Sequence, residues 1–144
     1  WFHWFFFAQP EKPELALVGD PLAWYGEDPS KMGRENFEEY SLAVTDPPTV
    51  QAMLEDYRAG LSIDVEMERY DRSISHKMDC PVFLVWAAQD DLGSLYANPV
   101  AIWGDWTNSI AAGRPLDCGH HIAEEMPEEF SRTVSEFLNE CFKD

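Results

Sequence analysis

His120 is the residue in this chain best placed to do chemistry. It sits in Cys118-Gly119-His120-His121, after a run that reads as a strand and before helical spacing. Active groups in open α/β sheets gather at the carboxyl ends of strands. An imidazole titrates near neutrality, which suits a general base that activates water. Position alone also leaves a surface or helix-capping histidine open, and the adjacent His121 should point elsewhere. Asp90 and Asp91 follow the other strand-like run. An acid there can fix a histidine tautomer and stabilise the imidazolium, although a plain polar loop in a very acidic chain fits them as well. His3, Trp4 and Tyr57 read singly as core residues. Together they share a property: indole N–H is only a donor, and phenol O–H and imidazole N–H can also donate. Three such donors converging would stabilise a small anion leaving a carbon atom.

Two other patterns are weaker. His120/Glu124 and His121/Glu125 are spaced by four, so on a helix each pair would share a face. A metal site needs three or four converging ligands, and no HExxH is present, so neither a metal nor any other cofactor is expected. Gly60-Leu61-Ser62 half-matches a GxSxG nucleophile elbow, but Asp64 stands where the second glycine should be and the local spacing is helical.

These side chains need elements to hold them. Val82-Phe-Leu-Val-Trp86 is a continuous apolar run of strand length between Pro81 and Gln89-Asp90-Asp91. Buried parallel strands read this way, because both faces are covered. Asn98-Pro99 opens a helix through Val100, Ile102, Trp103 and Trp106. A second strand is expected near Ile110 to Leu116, at an edge, since Pro115 donates no ladder hydrogen bond. The final helix starts at Pro127, with Glu128 and Glu129 favourably placed against the dipole. Phe130, Val134, Phe137, Leu138, Cys141 and Phe142 make its apolar stripe. Strand, helix, edge strand, helix is one βαβα unit of the α/β class. Two parallel strands rarely stand alone in water, so the rest of the sheet is expected from sequence beyond this chain.

Residues 1–78 differ in style, being rich in proline, acids and aromatics, with helical spacing and no clear strand. Trp1 to Ala8 is apolar but ambiguous in period, and Gln9-Pro10 ends it. Asp20-Pro21 reads as a helix start, and Arg34 to Val44 as a short helix. Asp46-Pro47-Pro48 opens another, with Val50, Met53, Leu54, Tyr57 and Leu61 on one face. A helical layer without its own sheet reads as a cap inserted over a core, which splits the chain into a 1–78 cap segment and a 79–144 core segment.

Bulk properties narrow the partners. The 144 residues carry 27 acidic and 10 basic groups, a formal charge of −17. Nucleic acid and anionic membrane surfaces are excluded as partners by repulsion. No apolar run reaches the ~18 residues of a membrane span. Cys80, Cys118 and Cys141 form no CxxC pair, which fits reduced, mostly buried thiols in a cytoplasmic protein.

Three segments carry a family resemblance: His3-Trp4-Phe5-Phe6-Phe7-Ala8-Gln9-Pro10, Glu55-Asp56-Tyr57-Arg58-Ala59-Gly60, and Cys118-Gly119-His120-His121-Ile122-Ala123-Glu124-Glu125-Met126-Pro127. They resemble the haloacetate (fluoroacetate) dehalogenases of the α/β-hydrolase superfamily. The resemblance implies the C-terminal part of an α/β-hydrolase fold: helical cap, last two parallel strands and flanking helices. It implies an aspartate nucleophile that displaces halide, an ester intermediate, and hydrolysis of that ester by water activated at His120. His3, Trp4 and Tyr57 match the residues that bind the departing halide. The family's acid partner for the histidine often follows an earlier strand, upstream of this chain, and Asp90 matches the acid of those relatives whose acid follows this later strand. The nucleophile and the arginines that hold the substrate carboxylate would precede residue 1, so the chain alone should be inactive. The expected partner is a small anionic substrate, with a homodimer as the assembly. Epoxide or ester hydrolysis on the same fold, and a non-catalytic fragment, are the rival readings.

Overall fold

The computed structural model describes residues 2–13 and 29–143. Trp1 and the helix start expected at Asp20-Pro21 lie outside them. The chain divides into two compact units, Trp1–Ile74 and Ser75–Asp144.

In the first unit the ambiguous aromatic run is helical, α1 (Phe2–Phe7). It closes where proline forbids another turn, with Ala8 N–H donating to Trp4 O and Gln9 N–H to Phe6 O, both at 3.0 Å. Helix α2 (Arg34–Thr45) starts after Gly33, whose φ of 80° favours a residue without Cβ. Helix α3 (Pro47–Gly60) is capped by Asp46, whose carboxylate accepts from Thr49 N–H at 3.1 Å and from the Thr49 hydroxyl at 2.6 Å. Val44, Val50 and Leu54 are fully buried and form the core, with Phe7, Tyr40 and Met53 packed on it. The expected apolar face of α3 stops short of Leu61, which lies past the helix end and is 42% exposed.

A further helix, α4 (Ile63–Ile74), follows directly, with Ser62 before it and Asp64 and Glu66 in its first turn. A tight turn makes the break. Ser62 N–H donates to Ala59 O at 2.9 Å and the Ser62 hydroxyl to Arg58 O at 2.6 Å.

The second unit is built on strands β1 (Val82–Ala87) and β2 (Ala111–Leu116), paired in parallel from Val82↔Ala111 to Ala87↔Leu116. Gly113 lies opposite Leu84, and a Cβ there would fall 2.3 Å from Leu84 O, so the strands close only around glycine. Ahead of β1, Met78 bridges to Thr107 in parallel, which ties residues 75–78 to this unit. The buried Thr107 hydroxyl lies 2.9 Å from Cys80 O and accepts from Ser109 N–H at 3.0 Å.

Helices α5 (Leu92–Leu95) and α6 (Pro99–Gly104) join the strands. Asn98 caps α6 through Ala101 N–H at 3.0 Å. The helix is shorter than its apolar spacing suggests. It ends at Gly104, and Trp106 sits in the turn beyond. After β2 come α7 (Ile122–Glu125) and α8 (Pro127–Cys141).

The second core is Ala87, Leu116 and Cys118, lined by Val85, Ile122, Met126 and Phe130. Three expectations are corrected here. Val82 to Trp86 are only half-buried, because among the described residues the sheet has two strands and covers neither outer edge. The α8 stripe faces inward through Phe130 and Phe137, the latter ring 5.2 Å from Phe83, but Leu138, Cys141 and Phe142 are exposed. All three cysteines are free, and only Cys118 is buried. Thr133 on the same helix is buried because its hydroxyl accepts from Arg114 of β2, which also reaches Glu129 at 3.2 Å. Among the described residues no helix is long and apolar enough to cross a membrane.

Candidate active site

In the second unit, the two strands end side by side, and each delivers one polar residue. Ala88 N–H donates to Leu116 O at 2.7 Å and Gln89 N–H to Cys118 O at 3.1 Å, so the loops after β1 and β2 leave the sheet together. Asp90 and His120 follow directly. Asp90 Oδ2 lies 2.5 Å from His120 Nδ1. An ionised carboxylate only accepts, so Nδ1 is the donor of this bond, and in the neutral ring the lone pair lies on Nε2. Among the described residues Nε2 has no hydrogen-bond partner, and the ring is 72% exposed.

Asp90 is also held from the other side, where Asp91 N–H donates to its Oδ1 at 2.7 Å. The hydrogen bond from His120, then that from the Asp91 amide, hold the Asp90 carboxyl below the ordinary carboxylate range. Asp90 therefore stays anionic at neutral pH and orients the imidazole. Asp91 takes part through its backbone alone.

The pairs His120/Glu124 and His121/Glu125 do not share a helix face, because α7 starts at Ile122 and both histidines precede it. The Glu125 carboxylate is turned back onto backbone N–H groups of the loop before α7. Among the described residues no three His, Cys, Asp or Glu side chains gather as metal ligands would.

The first unit gathers His3, Trp4 and Tyr57. The Tyr57 ring, on α3, lies 5.1 Å from Trp4 and 6.3 Å from His3, both near edge-on, with Phe7 at 4.9 Å. Edge-to-face packing at these distances is favourable in itself. Burial, and then the neighbouring Asp56 carboxylate, raise the Tyr57 pKa above its ordinary 10.0, so the phenol keeps its proton and remains a donor.

Two residues that local rules left without a role hold this cluster. Arg58 donates to Gln9 O at 2.7 Å and to Glu55 Oε1 at 2.7 Å, which ties the end of α1 to α3. Gly60 makes room for the indole, since a Cβ there would meet Trp4 Cζ3 at 2.9 Å. Both lie in the Glu55–Gly60 segment, where their spacing from Tyr57 is visible but their targets on α1 are not.

No protein-family model matches the chain. It is 27% identical over 152 aligned residues to a fluoroacetate dehalogenase from a Burkholderia species, an alignment covering 98% of this chain and 48% of that protein. Among solved structures it superposes with a TM-score of 0.84 on a protein from Nostoc sp. PCC 7120 assigned as an α/β hydrolase, at 30% identity over 97% of this chain and 50% of the other. A Salmonella enterica protein assigned as an acyltransferase gives 0.81, at 31% identity and 98% and 48% coverage. A Pseudomonas aeruginosa protein assigned as an epoxide hydrolase gives 0.79, at 29% identity and 96% and 48% coverage. The chain thus spans about half the length of the proteins it matches. The cap-like helices, the parallel strand pair and its flanking helices are the C-terminal part of the α/β-hydrolase fold, and the chain is similar over nearly its whole length to a fluoroacetate dehalogenase.

Proposed function

We propose that this chain supplies the water-activating base and the leaving-group donors of a hydrolytic dehalogenation of a small 2-haloacid. In the first step an aspartate outside these 144 residues forms a bond from its carboxylate oxygen to the carbon bearing the halogen. The carbon–halogen bond breaks and halide departs with the electron pair. Donors among His3, Trp4 and Tyr57 receive it, which matters most for fluoride, a poor leaving group. In the second step His120 Nε2 takes a proton from water, and the hydroxide formed attacks the ester carbonyl. The ester opens to aspartate and a 2-hydroxy acid, and the imidazolium, stabilised by Asp90, returns its proton to solvent.

The observation that carries this reading is the packing of two donor-bearing rings, His3 and Trp4, around a third, Tyr57. A base for ester hydrolysis is common to many hydrolases, whereas a cluster of N–H and O–H donors suits an anion leaving carbon. The test is halide release from fluoroacetate and chloroacetate by the protein that carries this chain, followed by mass spectrometry of its His120→Gln variant. Release of halide, with a covalent adduct accumulating in the variant, is expected. Absence of the adduct would remove His120 from the second step.

Similarity to proteins assigned as an epoxide hydrolase and an acyltransferase favours a second reading, epoxide or ester hydrolysis at the same His120–Asp90 pair. Turnover of epoxides or aryl esters without halide release from any 2-haloacid would select it.

A further inference from the structure

The backbone on both sides of His120 is held by one side chain. Glu125 closes α7, and its carboxylate turns back over the loop that precedes that helix. Its Oε2 accepts from Gly119 N–H at 2.9 Å and its Oε1 accepts from His121 N–H at 3.2 Å. Its own N–H donates to His121 O at 2.9 Å. The N–H groups on either side of His120 are thus gripped by one anion, and the residue in front is tied a second time. Hydrogen bonds to an ionised acceptor are about twice as strong as neutral ones.

Gly119 completes the arrangement. A Cβ at that position would meet Glu125 Oε1 at 2.7 Å and Oε2 at 3.1 Å, so glycine is required for the carboxylate to reach the loop. The φ of Gly119 is not in the left-handed region, so clearance, not conformational freedom, is the reason for glycine. The same carboxylate, after burial itself, helps to raise the pKa of the Cys118 thiol one residue earlier.

We infer that Glu125 is the positioning residue for His120: it fixes the backbone from which the imidazole projects, so that Nδ1 meets Asp90 and Nε2 is presented as the base. Glu125 touches no reacting atom in this arrangement. It sets the orientation of the ring that does, and Gly119 exists to admit it. The inference rests on the reading of His120 as the base, but the His120–Asp90 contact it explains can be measured without any substrate.

The test is nitrogen-15 NMR of the histidine side chains in the protein carrying this chain, comparing the parent with Glu125→Gln and Glu125→Ala. In the parent His120 should be a single tautomer protonated at Nδ1. Glutamine keeps the shape but offers one acceptor in place of two, and alanine offers none. Both variants should show His120 as a mixture of tautomers, more so for alanine. Exchange of the Gly119 and His121 amide protons should rise about tenfold or more, the loss expected for a charge-assisted bond.

Asp90→Asn serves as a control, since it should disturb the tautomer while leaving those two amides protected. A His120 tautomer unchanged in both Glu125 variants would overturn the inference, even if their melting temperatures fell. If instead the tautomer shifts as expected but no 2-haloacid, epoxide or ester is turned over, the positioning role stands and the proposed reaction fails.

Discussion

The two units hold their polar side chains by opposite means. Around Tyr57 the restraint is apolar: ring edges against ring faces, a buried Val44–Val50–Leu54 floor, and one arginine joining two helices. Around His120 it is ionic: two carboxylates, Asp90 from the other strand's loop and Glu125 from the helix that follows, take Nδ1 and the flanking amides. Burial helps to keep the phenol protonated and so a donor, which is what receiving an anion requires. Hydrogen bonds from His120 and then from the Asp91 amide keep Asp90 ionised, which is what steadying an imidazolium requires. Both units use a glycine in the same way, since Gly60 and Gly119 each leave space for one named side chain.

That contrast can be broken in graded steps. The largest effect is expected from Asp90→Asn, which keeps the shape but favours the wrong histidine tautomer. By analogy with the triad aspartate, ester hydrolysis should slow by about 10⁴-fold in single-turnover measurements. A loss below about tenfold would assign the acid role elsewhere. Tyr57→Phe removes a donor and leaves the ring. Halide release should fall by about 10²–10³-fold, the loss typical of one preorganised donor, and more for fluoride than for bromide. Its denaturation midpoint should barely move, because the edge-on packing survives.

Arg58→Ala should act mainly on stability. The half-buried guanidinium bonds to Gln9 O and Glu55, and its loss should cost about 1.5–3 kcal/mol in urea unfolding. Loss of halide affinity without loss of stability would instead make Arg58 a binding group.

Gly60→Ala pits two small effects against each other. Displacing the Trp4 indole costs about 1–3 kcal/mol, while alanine in place of glycine returns up to ~1 kcal/mol of helix propensity. A net loss near 1 kcal/mol, seen as a lower melting temperature, is expected, with Trp4 fluorescence shifted. The smallest effect is acid sensitivity. The Asp90 pKa is lowered in the folded state, so its contribution is complete above the unfolded value of ~4 and fades as pH falls through the lowered one. For a contact this exposed the loss should stay below about 1 kcal/mol, and Asp90→Asn should abolish it.

Local chemistry made much of this legible. Asp46-Pro47 and Asn98-Pro99 each read as a cap followed by proline, and each opens a helix. The unbroken apolar run at Val82 could hardly be other than a strand, given Pro81 before it and acids after. Helix α4 is separated from α3 only by a hydrogen-bonded turn at Ser62, so the helical spacing runs almost unbroken across the two. The outward end of the α8 stripe is exposed; periodicity says which residues share a face and nothing about how far the facing element extends.

For the candidate sites the division is sharper. Residue type and placement alone put an imidazole after one strand and a carboxylate after the other, and put donor-bearing rings at three positions in the cap segment. Those facts are properties of the chain read in order. That Asp90 rather than Asp91 meets Nδ1 depends on the parallel register of β1 and β2, a pairing across residues far apart in sequence. Glu125 gripping the loop, Arg58 reaching Gln9, and the glycines that make room for Trp4 and Glu125 were decided by the tertiary structure. The contacts of Arg58 and Gly60 with the first helix are set by where the backbone returns in space, and that of Glu125 by its side chain turning back onto the loop before its own helix, which spacing alone does not show.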